Sequence, residues 1–303
     1  MRKITISAIQ MDIESGNLKT NMEKALKMME KAANRGSDII TLPEMWPVGF
    51  DYEAMSQLPE SYLDDILEFL TDIAFKHKTY IVSGTICEPV DGNRFNTCFL
   101  IDPAGKITGK YRKIHLFKEI GERNFFSPGW DIGYFDTHLA KIGIAICYDL
   151  RFPEVFRQMA LSGAEVIFVP AQFPHPRLEH WDVLLRARAI ENQLFVVGCN
   201  RVGKMEKIEY FGHSMIIGPY GDIIEEAGDG EELITEVIDL ERLYNVRKVL
   251  PSLSERRPEV YTEMPSKKEP AAPLSPLPPL SAKESAAKPF KFKNTIQPMK
   301  PRQ

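Results

Sequence analysis

Two periods of apolar residues alternate along most of this chain. Short runs rich in β-branched and aromatic residues occupy positions 4–10, 38–42, 79–86 and 96–101 and read as strands. Between them, residues 17–34 set Met22, Ala25, Leu26, Met29 and Ala32 on one face at helical spacing. Residues 63–76 read as a second helix. The order then returns. Strands are predicted at 141–146, 165–169, 194–199 and 213–218, with helices at 153–161 and 178–193.

Local matches support a repeat. The run Ser37-Asp38-Ile39-Ile40-Thr41-Leu42-Pro43 resembles Ala164-Glu165-Val166-Ile167-Phe168-Val169-Pro170. Thr79 to Gly84 resembles Gln193 to Gly198, and Phe99 to Ile107 resembles Met215 to Ile223. We read two β-α-β-α-β-β halves. Each half gives a sheet with helices on one face. The other face is also apolar and must be covered, which packing sheet on sheet achieves. The expected fold is therefore α/β, a four-layer α-β-β-α sandwich with an internal pseudo-two-fold repeat. Two independent domains would need a linker, and only the irregular stretch 117–130 lies between the halves.

Composition changes the picture at one end. Residues 258–303 hold ten prolines and eight Lys+Arg against four Asp+Glu. We divide the chain into a body, 1–257, and a proline-rich basic tail, 258–303, expected to be extended or disordered. Over all 303 residues there are 38 basic and 42 acidic side chains, so the body carries 30 against 38. That acidity argues against nucleic acid as the main partner. No run of 18 apolar residues occurs, so no membrane partner is expected. Cys87, Cys98, Cys147 and Cys199 form no CxxC pair, and the six histidines show no ligand spacing. Reduced thiols, a cytoplasmic location, no metal and no cofactor are the expectations.

Three strand ends carry candidate chemistry. Residues 39–44 end in a carboxylate, Glu44, just past Pro43. Residues 142–147 end in the thiol of Cys147, followed by Tyr148-Asp149-Leu150-Arg151-Phe152-Pro153-Glu154. Residues 111–116, Tyr-Arg-Lys-Ile-His-Leu, offer a basic cluster around Lys113. Sites in α/β sheets collect at the carboxyl ends of strands. A thiol there, beside free N–H groups of a turn, is expected to have a lowered pKa. Taken singly, each residue has a plainer reading: a buried small residue, a salt-bridge partner, a solvated charge run. Cys147 with His115 or His175 would be a papain-like alternative.

Together, these motifs resemble the nitrilase superfamily of carbon–nitrogen hydrolases, over about residues 4 to 257. The stretch Glu122-Arg123-Asn124-Phe125-Phe126-Ser127-Pro128-Gly129 is similar to the loop that carries the family's second glutamate. The resemblance implies a Glu-Lys-Cys triad of Glu44, Lys113 and Cys147, with Glu122 holding Lys113 or orienting substrate and water. It also implies an oxyanion site from Lys113 and the backbone N–H of Tyr148, and pairing of two or more copies through the helices after Cys147.

Residues 43–50 are similar to the omega-amidase type, which hydrolyses 2-oxo acid monoamides. Such a small-molecule amide carries a carboxylate and needs a cation. The loop Phe173-Pro174-His175-Pro176-Arg177, equivalent by repeat to the Glu44 loop, supplies candidates in Phe173, His175 and Arg177. Arg151 is a second cation that could meet this carboxylate, but inside the Cys147 motif it is expected to pair with Glu154 or Asp149 instead. N-carbamoyl compounds and nitriles are the rival substrates. A silent binding scaffold is the non-enzyme alternative.

Overall fold

The computed structural model describes residues 2–59 and 61–261. The chain from Met1 to Arg256 forms one compact unit. Of the proline-rich segment only its start is described, ending in the short helix Pro258–Tyr261; the expectation for the rest lies outside the described residues.

Two sheets carry the unit. In the first, Glu232–Asp239, Lys3–Gln10, Ile39–Thr41, Tyr80–Val82, Asn93–Ile101 and Ile86–Val90 lie in that order, and Ile107–Arg112 also pairs with Asn93–Ile101. In the second the order is Ile223–Glu226, Met215–Ile217, Phe195–Asn200, Val166–Ala171, Lys141–Ile144 and Tyr134–Asp136. The repeat is visible in the pairing. Lys3–Gln10, Ile39–Thr41 and Tyr80–Val82 run parallel, then Asn93–Ile101 and Ile107–Arg112 follow antiparallel. Lys141–Ile144, Val166–Ala171 and Phe195–Asn200 run parallel, then Met215–Ile217 and Ile223–Glu226 follow antiparallel.

The period-2 alternation of side chains builds three cores. Ile4, Ile6, Ala8, Ile39 and Val82 of the first sheet meet Ile142, Ile144, Phe168 and Val197 of the second. The alternate residues Ile9, Ile40, Ile81 and Ile101 pack under helices Leu18–Asn34 and Tyr62–His77. On the far side, Ile167, Val169 and Val196 pack under helices Pro153–Leu161 and Leu178–Asn192. The molecule is the four-layer α-β-β-α sandwich that the pattern implies.

One predicted strand is broken. Residues 79–86 were expected to run unbroken, but Tyr80–Val82 and Ile86–Val90 are separate strands with a turn at Ser83-Gly84-Thr85. Gly84 has φ +66, and a Cβ there would lie 2.3 Å from the carbonyl oxygen of Pro43. The bend lets the chain fold against the Glu44 loop. Unforeseen elements are the hairpin Val202–Met205/Ile208–Phe211, the strands Ile107–Arg112, Tyr134–Asp136, Ile223–Glu226 and Glu232–Asp239, and the helices Tyr52–Ser56 and Glu241–Val249. Among the described residues no helix is long and apolar enough to cross a membrane.

Candidate active site

The Glu44 loop is held rigidly from both halves. Met45 takes φ +44, and its N–H donates to Thr85 Oγ1 at 2.8 Å, while Trp46 Nε1 donates to the Ser83 carbonyl at 2.8 Å. From the second half, the Gln172 backbone N–H donates to Glu44 Oε2 at 3.0 Å and its side-chain amide donates to the Glu44 carbonyl at 2.8 Å. Gln172 is itself fixed by Arg201, whose Nη1 donates to Gln172 Oε1 at 3.1 Å. Arg201 is fully buried and bonded to Asp12 Oδ1 and the Ile13 carbonyl.

Lys113 follows strand Ile107–Arg112, with its backbone N–H on the Asn96 carbonyl and its own carbonyl taken by Gly129. Its Nζ donates to Glu44 Oε1 at 2.8 Å and to Glu122 Oε1 and Oε2 at 2.9 and 2.8 Å. All three side chains are sealed from water, with relative exposures of 1 % for Lys113 and 0 % for Glu44 and Glu122. Asn96 Nδ2 bridges the two carboxylates, at 2.9 Å from Glu44 Oε1 and 3.0 Å from Glu122 Oε1. The Phe117 N–H donates to Glu122 Oε2 at 2.6 Å. A buried ion pair holds only when such bonds satisfy its remaining lone pairs. Burial alone would lower the Lys113 pKa, but the Glu122 and Glu44 carboxylates hold it well above the lysine range. Burial raises Glu122 above its ordinary value, Lys113 opposes this and Glu44 adds to it.

Cys147 opens a single 3-10 turn, Cys147–Arg151, with two residues between it and the end of strand Lys141–Ile144. Its φ is +45, a left-handed conformation that a non-glycine residue adopts at a cost of about 1–3 kcal/mol. Asp149 holds this turn. Its Oδ2 accepts from the Ile146 N–H at 2.9 Å and the Tyr111 hydroxyl at 2.8 Å. Its Oδ1 accepts from the backbone N–H of His115 at 3.0 Å and lies 2.8 Å from His115 Nδ1. Asp149 thus ties the cysteine turn to the segment that carries Lys113.

The expectation of a lowered thiol pKa is reversed. Burial and then the Glu44 carboxylate push the Cys147 thiol well above its usual range, and Lys113 offsets only part of this. The turn is too short for its dipole to compete with two carboxylates in a dry site. A thiol so placed needs a base.

A small cavity opens above these groups, lined by Lys113, Phe117, Ile120, Cys147, Tyr148, Arg151, Gln172, Phe173, Pro174, Arg177, Ile208 and Tyr210. It gathers five of the sequence candidates directly: Lys113, Cys147, Tyr148, Phe173 and Arg177. Glu44 and Glu122 lie beneath, bonded to Lys113. His175 stands outside the lining, exposed, its N–H on the Glu209 carbonyl and its ring edge-on to Phe211. His115 is turned away to Asp149 and stacked on Phe152 at 3.5 Å, so neither histidine partners Cys147 as the papain-like alternative requires. Arg151 pairs with neither Glu154 nor Asp149. It lies over the Phe173 ring, with Nη2 3.4 Å from His180 Nδ1, because Asp149 is already filled. Sequence reasoning missed Asn96, Gln172, Arg201 and Tyr210, although the repeat does place Gln172 one residue beyond the match to Glu44. Among the described residues no group of three or more His, Cys, Asp or Glu is placed to hold a metal ion.

A sequence profile of the carbon-nitrogen hydrolase family matches residues 5–248. The chain belongs to this family, within the nitrilase superfamily. It is 38% identical over 259 residues to a 2-oxoglutaramate amidase of Bacillus subtilis, covering 86% of this chain and all of that one. It is 33% identical over 272 residues to Omega-amidase NIT2-B of Xenopus laevis, covering 86% of this chain and 98% of that one. Among solved structures it is similar to Saccharomyces cerevisiae Nit3, a member of branch 10 of the nitrilase superfamily. The TM-score is 0.77 at 30% identity, with 84% of this chain and 97% of that one covered.

Proposed function

We propose that this protein is an omega-amidase acting through a cysteine thioester, hydrolysing the terminal amide of a small 2-oxo acid monoamide such as 2-oxoglutaramate. The observation that carries the reading is one ammonium, Lys113, bonded to both Glu44 and Glu122 beneath the cavity that Cys147 lines. In the first step Glu44 takes the thiol proton and Sγ attacks the amide carbon. The oxyanion is met by Lys113 Nζ and the Tyr148 N–H, a kind of donor worth about 3–4 kcal/mol in the transition state. The carbon–nitrogen bond breaks as Glu44 returns the proton to the leaving nitrogen, and ammonia departs. Water, deprotonated by Glu44, then attacks the thioester; the carbon–sulfur bond breaks, Glu44 returns the proton to Sγ and the acid leaves. Glu122 keeps Lys113 in place throughout.

The substrate's carboxylate is assigned to Arg177 and Arg151, which both line the cavity, Arg151 lying over the Phe173 ring. The same reading has two copies pairing through Pro153–Leu161 and Leu178–Asn192, helices that expose Leu161, Val183 and Ile190. It also places the protein in the cytoplasm, in keeping with its four free cysteines.

The test is ammonia release from 2-oxoglutaramate, N-carbamoyl amino acids and nitriles, with Cys147→Ala beside the wild type. The expected result is turnover of the acid amide, none by the variant, and an unchanged circular dichroism spectrum. Turnover confined to N-carbamoyl compounds or nitriles moves the substrate assignment. Turnover by Cys147→Ala at the wild-type rate rejects the mechanism.

A further inference from the structure

The cavity over Cys147 is narrow. Its volume is about 30 Å3. An amide that carries a carboxylate a few bonds away needs the mouth to widen. The lining includes Phe117 and Ile120 from one segment of the chain and Pro174 and Arg177 from another. Glu119 lies between Phe117 and Ile120, in the turn Lys118–Ile120, and reaches across the gap. Arg177 Nη2 donates to Glu119 Oε2 at 2.9 Å, and the guanidinium lies 5.7 Å from the centre of the Phe117 ring. The two side chains are unlike in exposure, 20% for Arg177 and 52% for Glu119.

We propose that Glu119 is an internal stand-in for the substrate carboxylate on Arg177. Binding an acidic amide then exchanges one carboxylate for another and opens the mouth. This deepens the reading of an acid-amide substrate and rests on it. The exchange is inexpensive for an acidic substrate, because Arg177 keeps a carboxylate and the half-exposed Glu119 returns to water. A neutral amide has to part the same pair and leaves the more buried guanidinium without its partner. Selectivity for an acid therefore comes from a pair that already closes the site.

Only the Glu119 side chain has to move. The backbone beneath it is pinned on both sides, by the Phe117 N–H on Glu122 Oε2 and by the Tyr52 hydroxyl on the Ile120 carbonyl at 2.9 Å. The exchange thus leaves Glu122 and the Lys113 cluster undisturbed. Arg151 offers no equivalent exchange, since its partner at the mouth is the His180 ring and not a carboxylate.

The experiment measures glutarate binding by calorimetry to protein carrying Cys147→Ala, alone and with Glu119→Gln, Arg177→Gln or both. Glu119→Gln is expected to tighten binding about two- to five-fold, the range set by losing one exposed pair. Arg177→Gln is expected to weaken it about ten-fold. In the Arg177→Gln background, Glu119→Gln is expected to change nothing. A neutral diamide of the same length, which parts the same pair without replacing it, should bind about ten-fold more weakly than glutarate wherever Arg177 is present. Unchanged or weaker glutarate binding in Glu119→Gln overturns the exchange and leaves the acid-amide reading standing. A gain that persists without Arg177 overturns it as well, as a general charge effect. Glutarate that binds none of the proteins overturns both.

Discussion

The floor and the mouth of the cavity each hold an ion pair between a cation and a glutamate, and the two differ in almost everything else. At the floor, Lys113 meets Glu44 and Glu122 with no exposure to water, and Asn96, Gln172 and the Phe117 N–H occupy further carboxylate lone pairs. At the mouth, Arg177 meets Glu119 alone, and half of Glu119 faces solvent. Equal distances therefore hide unequal energies. The exposed pair is worth no more than about 1 kcal/mol. Removing one partner from the floor strands charge in a dry place, at about 3–5 kcal/mol. The floor can hold charges for a reaction because it cannot rearrange, and the mouth can exchange partners because rearranging it costs little.

The sharpest way to break this contrast is Lys113→Met, which keeps the length of the side chain and removes its charge. Glu44 and Glu122 then face one another with only the Asn96 amide between them. We expect a loss of about 3–5 kcal/mol in urea unfolding. Ammonia release should fall about 10²–10³-fold at least, since an oxyanion donor goes too. Glu119→Gln should shift unfolding by under about 1 kcal/mol. If both variants unfold alike, the floor is no more tightly held than the mouth.

Asn96→Ala tests the same floor without touching a charge. The amide gives two bonds to carboxylates and takes no part in the proposed bond changes. Its removal takes away one of the bonds that aim each glutamate at Lys113. The expected outcome is a fall of about ten- to a hundred-fold in kcat with KM little changed, the pattern of a lost alignment rather than lost binding. Equal rises in KM would place Asn96 in substrate binding instead.

How much of this was legible in the chain follows from the kind of residue involved. Glu44, Lys113, Cys147 and Glu122 stand at the ends of strands or in a marked loop, and each carries chemistry, so type and position both point to them. The sandwich was readable because neighbours such as Ile39 and Ile40, or Ile81 and Val82, put apolar side chains on both faces of a strand. Asn96 lies inside strand Asn93–Ile101, where a lone amide reads as an ordinary inward polar residue, and only the fold shows what it bridges. Arg201 is hidden for the same reason: its partners Asp12 and Gln172 are distant in sequence. The split of residues 79–86 escaped because β-branched runs report burial, whereas the bend is imposed by Pro43 from another segment. The hairpin Val202–Met205/Ile208–Phe211, with only four residues in each strand, has too little period to read, yet it supplies Ile208 and Tyr210 to the cavity.

The smallest effect concerns pH and separates a buried carboxylate from an ordinary one. Glu122 has a folded-state pKa raised above its usual 4.5, first by burial, with Lys113 opposing and Glu44 adding. A raised acid holds its proton more tightly in the folded state than in the unfolded one. Its contribution is complete below about 4.5 and is lost as pH climbs through the higher folded value. Wild-type stability should therefore decline as pH rises above 4.5, in a part that Glu122→Gln lacks. Urea unfolding at pH 5, 6, 7 and 8 reads this as a slope, at most about 1.4 kcal/mol per pH unit for one proton. The glutamine variant is expected to give the flatter line, even if its overall stability is lower for want of the bonds to Lys113 and Phe117. Parallel lines would mean that Lys113 holds Glu122 fully ionised, and that the floor carries its net negative charge across the whole range.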